Sequence, residues 1–171
     1  YSLALRGLNP YIPESPVGTA DEIVDMISDF KHIARVILGL KSLKIFSFGP
    51  RPQDFVACNA PIKPLFDLGV EIMENSELDL FAQFNEREND SRIPSVVSDM
   101  EKELAEGNCH PGILPKLAQY ELTLIDWYEN NLGASNYAIF ANKCWPAFQT
   151  QFGIVPCYVN SRLAAKGIPV S

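Results

Sequence analysis

Leu43-Lys44-Ile45-Phe46-Ser47-Phe48, closed by Gly49-Pro50-Arg51-Pro52, decides the fold of this 171-residue chain. The first six residues form a β-prone run, and two prolines directly after it forbid further ladder bonding, so a strand must give way to a loop. Pro61 suits the first turn of a helix through Leu65 and Phe66, which Gly69 closes, and Val70-Glu71-Ile72-Met73 predicts a second strand. Strand, helix and strand in this order make a βαβ unit.

Toward the N-terminus, Thr19-Ala20-Asp21-Glu22 reads as a capping box. Ile23, Ile27, Phe30, Ala34 and Ile37 continue it at helical spacing, a stripe expected to face a core until Gly39 weakens the helix. Toward the C-terminus, Ser76-Glu77-Leu78-Asp79 caps a helix near Leu80 to Phe84, and Asn85 to Arg92 reads as a mobile surface loop with solvated charges. Helices are expected near Pro94 to Glu106 and Pro115 to Leu132, the second with Leu117, Tyr120, Leu124 and Trp127 on one stripe. Tyr137-Ala138-Ile139-Phe140-Ala141 predicts a third strand, and a helix near Tyr158 to Lys166 leads to the β-prone Ile168-Pro169-Val170-Ser171. Alternating strands and helices joined by right-handed crossovers imply an α/β fold of flavodoxin or Rossmann type. It would be three-layered, a parallel sheet of four to five strands with helices on both faces. Residues 1–171 are read as one α/β domain, 1–40 as a leading segment with the first helix and 41–171 as the core. Neither Tyr1 nor the run at Ser171 looks like a natural boundary, so a fragment of a longer multidomain enzyme is expected.

A content of 47% hydrophobic and 20% charged residues excludes disorder, and a net charge of −7 with scattered Lys and Arg argues against nucleic acid, which needs a positive face. No apolar run of about 18 residues is present, so no membrane partner is expected. Cys58, Cys109, Cys144 and Cys157 form no C-x-x-C pair and read as free thiols of a cytoplasmic protein.

In open α/β sheets ligands bind beyond the carboxyl ends of the strands, which directs attention to Gly49 to Pro52, Glu74 to Ser76 and Asn142 to Pro146. One glycine followed by prolines offers no row of N–H groups to a phosphate, so a dinucleotide site is disfavoured. Arg51 could reach a hydroxyl or carboxylate, or be merely solvated. Lys143-Cys144-Trp145-Pro146 places a cation, a thiol and a large ring at one strand end. Trp145 could stack on the apolar face of a sugar while Lys143 or Gln149 binds hydroxyls, or it could simply cap the core. Cys144 lacks a neighbouring His, His32 and His110 lack partners at helical spacing, and Glu74 is the best lone carboxylate. No catalytic residue and no metal ligand set emerges from these residues.

Ile45 to Pro52 with Phe55 and Cys58, Phe66-Asp67-Leu68-Gly69-Val70-Glu71, Lys143-Cys144-Trp145-Pro146, Gly153, Cys157 and Leu163-Ala164-Ala165-Lys166-Gly167-Ile168-Pro169 together resemble the L-fucose isomerase and L-arabinose isomerase-like family. The resemblance runs from about Lys44 onward and implies the middle domain of such an enzyme. It implies aldose–ketose isomerisation assisted by a divalent metal, commonly Mn²⁺, whose ligands would include a Glu of a Cys-Glu segment after Ser171 and later Asp and His residues. It also implies N- and C-terminal domains as partners, a trimer or hexamer when intact, and no activity for this chain alone. Lys143, Cys144 and Trp145 would match a loop near the cleft, with Gln149 as a further sugar contact. The competing expectation is a non-catalytic sugar-binding or regulatory module of flavodoxin-like topology.

Overall fold

A computed structural model describes residues 2–14, 16–51, 61–107 and 110–171, which divide into two compact units, Tyr1–Leu38 and Gly39–Ser171. Pro52, Phe55, Cys58 and Cys109 lie outside the described residues.

The first unit contains the short helix α1 (Ser2–Leu5) and most of α2 (Ala20–Leu40). The capping box forms as the spacing requires: Thr19 N donates to Glu22 Oε2 at 2.7 Å, and Glu22 N donates to Thr19 Oγ1 at 3.4 Å. The apolar stripe does not meet its expectation, because α2 contains no buried residue. Helical periodicity records that a face is apolar, which is a different matter from that face being covered.

The second unit is built on a small open parallel sheet. Its strands are β1 (Leu43–Phe48), β2 (Glu71–Asn75) and β3 (Tyr137–Asn142), in the order β2-β1-β3. Helix α3 (Lys63–Asp67) joins β1 to β2. Helices α4 (Glu77–Glu86), α5 (Ile93–Leu104) and α6 (Leu114–Asn131) join β2 to β3, and α7 (Cys157–Ala165) follows β3. Among the described residues the expected four to five strands are therefore three. Val170 makes only an isolated parallel bridge to Phe140, held by Phe140 N to Pro169 O and Ser171 N to Phe140 O, both 2.9 Å. Pro169 brings no N–H of its own, so this segment makes a bridge where a longer donor run would make a ladder.

Chain direction across the sheet reverses after β2; one face carries the odd-numbered residues of β1, and the second is covered by α4 to α7. Phe46, Phe48 and Phe140 point to the second face, where Leu80, Phe84, Met100, Tyr120, Leu124, Val159 and Leu163 pack on them in one buried cluster. Leu43, Ile45 and Ile139, on the opposite face, are half-buried, and α3 contains no buried residue, so the covering of the two faces is unequal. Leu117, Tyr120 and Leu124 are buried as their spacing predicts, while Trp127 is partly buried with its ring edge-on to Phe48 at 4.9 Å.

Helix α6 runs antiparallel to the strands and is tied to both ends of the sheet. At the amino end of β1 the buried Lys44 donates from Nζ to Asn131 O at 2.8 Å and lies 3.2 Å from Glu71. At the carboxyl end of β3, Asn142 Nδ2 donates to Tyr120 Oη at 2.8 Å. Between them, fully buried Glu121 accepts from Arg162 at 2.6 Å and from Lys166, joining α6 to α7 and its C-terminal cap. Burial pushes the Glu121 carboxyl upward, but the hydrogen bonds and charges of Arg162 and Lys166 outweigh it and hold the group below its ordinary range.

The polar stretch expected as a solvated loop is pinned instead. Arg87 Nε and Arg92 Nη2 both donate to Asp126 of α6, at 2.8 and 2.7 Å, and Arg92 also grips Asp90 at 2.6 Å. A guanidinium offers several donors in a rigid fork, so two arginines and two carboxylates lock a turn that composition alone would leave free.

Candidate functional site

The carboxyl ends of β1 and β3 lie side by side, with Lys143 N donating to Phe48 O at 3.3 Å. Here the chain direction reverses, the place where parallel α/β sheets open a crevice. Gly49 leaves β1 with φ +78°, and its N–H donates to Asn75 O of β2 at 2.9 Å. A Cβ at this position would approach Glu77 Cδ to 2.7 Å, so the missing side chain makes room for the Glu77 carboxylate. Across the crevice, Lys143 Nζ stands 3.7 Å from Glu77 Oε1, and both side chains are about one-quarter exposed (23% and 27%). Glu77 also lines a hollow of about 290 Å³ with Leu78, Phe81, Ala147 and Phe152, so the start of α4 and the π-helical turn Phe148–Phe152 share one wall.

Four of the five residues read as sugar contacts sit at this edge. Lys143 faces Glu77, as described. Trp145 is 58% exposed, so its ring does not cap the core. Arg51 is half-buried rather than free in solvent, and its Nε is buried without a partner among the described residues. Cys144 is half-buried against the core beside Tyr120, an environment that suits an inert thiol. Gln149 departs from the group: it lines a separate hollow with Ile113, Leu117 and Val155.

Glu77 is the site residue that sequence reasoning missed. β2 continues to Asn75, so Glu74 lies inside the strand opposite Ser47 and is exposed, and the carboxylate that reaches the crevice comes three residues later. Its placement immediately after the predicted strand end and cap was the available signal. His32, exposed on α2, belongs to the first unit.

The chemistry this edge offers is binding and orientation. Tyr120 is fully buried, and burial raises its phenol above the ordinary range, against the Asn142 hydrogen bond and with help from nearby Cys144, so it stays neutral and serves no proton transfer near pH 7. Among the described residues no group of three or more His, Cys, Asp or Glu could hold a metal ion. Among the described residues no helix is long and apolar enough to cross a membrane. Compared with models of known protein families and with curated proteins, the chain matches none.

Proposed function

We propose that this chain serves as the middle α/β domain of a metal-dependent aldose–ketose isomerase of the L-fucose or L-arabinose type, and that its crevice binds one side of the sugar. The observation that carries the reading is the exposed Trp145 ring following directly on the Lys143–Glu77 pair, where β1 and β3 end. An indole face complements the C–H face of a sugar, and a paired ammonium and carboxylate supply donors and acceptors to hydroxyls without a net charge that would demand a phosphate. The order β2-β1-β3 with the Val170 bridge beyond β3 supports a flavodoxin-like doubly wound sheet, whose ligands sit at this edge. On this reading the metal ligands come from elsewhere in the enzyme, as do the N- and C-terminal domains, and assembly is a trimer or hexamer in the cytoplasm.

The test is titration of L-fucose and L-arabinose into the ¹⁵N-labelled chain with and without Mn²⁺. Weak saturable shifts are expected at Gly49, Lys143 and the Trp145 indole, lost in Trp145→Ala, with no ketose formed. Absence of those shifts defeats the reading, and ketose formed by the chain alone with Mn²⁺ defeats the claim that its metal ligands lie elsewhere. A non-catalytic sugar-binding module would show the same shifts; it parts from the isomerase if the parent reading frame beyond Ser171 lacks a Cys-Glu segment and later Asp and His residues.

A further inference from the structure

We infer that the hollow lined by Gln149 is a second binding site, for a small carboxylate with an apolar tail, independent of the sugar reading. The hollow has a volume of about 630 Å³, within the range of small-molecule pockets. It lies between the turn that enters α6 and the π-helical turn with the residues that follow it, as far as Val155. Because α6 is antiparallel to the strands, its N-terminal end belongs to the carboxyl edge of the sheet, the edge where such folds take ligands.

Its walls are mostly apolar. Ile113, Leu117, Ile154 and Val155 line it together with His110, and no Asp or Glu among the described residues does, although the chain as a whole carries a net charge of −7. The ammonium of Lys116 stands beside one of the lining residues. A Cβ built on Gly153, which has φ +66°, would lie 3.1 Å from Lys116 Nζ, so the ammonium rests over a glycine wall. Lys116 makes no ion pair among the described residues, and Gln149 adds an exposed amide at the same wall. An ammonium with no counter-ion among the described residues, beside a hollow whose described lining is mostly apolar and holds no acid, selects an anion whose remainder is hydrocarbon. A carboxylate would meet Lys116 and Gln149 while its tail lies against Ile113, Leu117, Ile154 and Val155.

Octanoate, 1-octanol and acetate, each titrated into the ¹⁵N-labelled chain, separate the contributions. Octanoate is expected to shift the amides of Leu117, Ile154 and Val155, with octanol weaker and acetate silent. Lys116→Gln, an exposed change that leaves packing alone, should weaken octanoate about tenfold and leave octanol unchanged. Gly112, where a built Cβ meets nothing within 4 Å, allows Gly112→Leu to fill the hollow and abolish binding of both. Octanol binding as tightly as octanoate, or octanoate indifferent to Lys116→Gln, overturns the inference. So does silence at all three amides, or a monomer–dimer equilibrium broken by Gly112→Leu, which would make the hollow a contact between copies of the chain.

Discussion

At the amino ends of the strands polar groups are matched: buried Lys44 is bonded to Asn131 and faces Glu71, and the exposed Asn136 N donates to Ser42 Oγ at 3.0 Å. At the carboxyl ends they are not. Arg51 Nε and Asn142 Oδ1 are buried with no partner among the described residues, Trp145 stands open, and Gly49 gives up a side chain to admit Glu77. Unsatisfied buried groups cost stability, so a fold tolerates them where something else needs the space. The contrast separates an end that holds the sheet together from an end available for chemistry. Substitutions at the first should change stability alone, and substitutions at the second should change binding more than stability.

The largest effect is expected on α6, on which both ends depend. Glu121→Gln leaves the buried Arg162 without its main counter-charge and should cost about 3 kcal/mol in urea unfolding. A loss below about 1 kcal/mol would show that α7 is held by apolar packing instead. Two carboxylates of α6 contribute to the acid limb. Glu121 and Asp126 are both held below the ordinary carboxylate range, Asp126 chiefly by its hydrogen bond from Arg92. Their contribution is therefore complete above the unfolded-state value and is lost as pH falls through the lowered ones. Glu121→Gln should flatten that decline, and an unchanged slope in acid unfolding curves would assign it to other carboxylates.

Next in size is the amino end. Lys44→Met removes the donor to Asn131 O and should cost about 2 kcal/mol while leaving any sugar-induced shifts intact. Sugar binding altered by this variant would blur the contrast between the ends. Gly49→Ala at the carboxyl end forces a side chain into a left-handed conformation and against Glu77; about 1 kcal/mol of stability should go, together with the Glu77–Lys143 approach. The smallest stability effect belongs to Trp145→Ala, less than about 0.5 kcal/mol by thermal unfolding because the ring is exposed. That same variant should lose the sugar-induced shifts altogether, and its failure to do so would dissociate the open ring from binding.

Much of the second unit was legible from residue order. Capping signals at Ser76 and Asp79 place the start of α4, and Ser76 N donates to Asp79 Oδ2 at 2.7 Å as the motif requires. Helical spacing gives buried Leu117, Tyr120 and Leu124. These signals are local, carried by bonds and side chains a few residues apart. The strand count was overestimated because a β-prone run states that a segment can pair, while the number of ladder bonds depends on donors in the partner segment.

The sequence by itself determined the alternation of strands and helices, the loops that can reach the carboxyl edge, and the grouping of Lys143, Cys144 and Trp145 on one of them. Only the tertiary structure decided that Glu77, not Glu74, meets Lys143, that Gln149 serves a different hollow, and that Arg87 and Arg92 converge on Asp126. The ion pairs among those outcomes join residues between 34 and 66 positions apart in the chain. Partner choice of that kind follows from how helices lie on the sheet, which short-range propensities leave open.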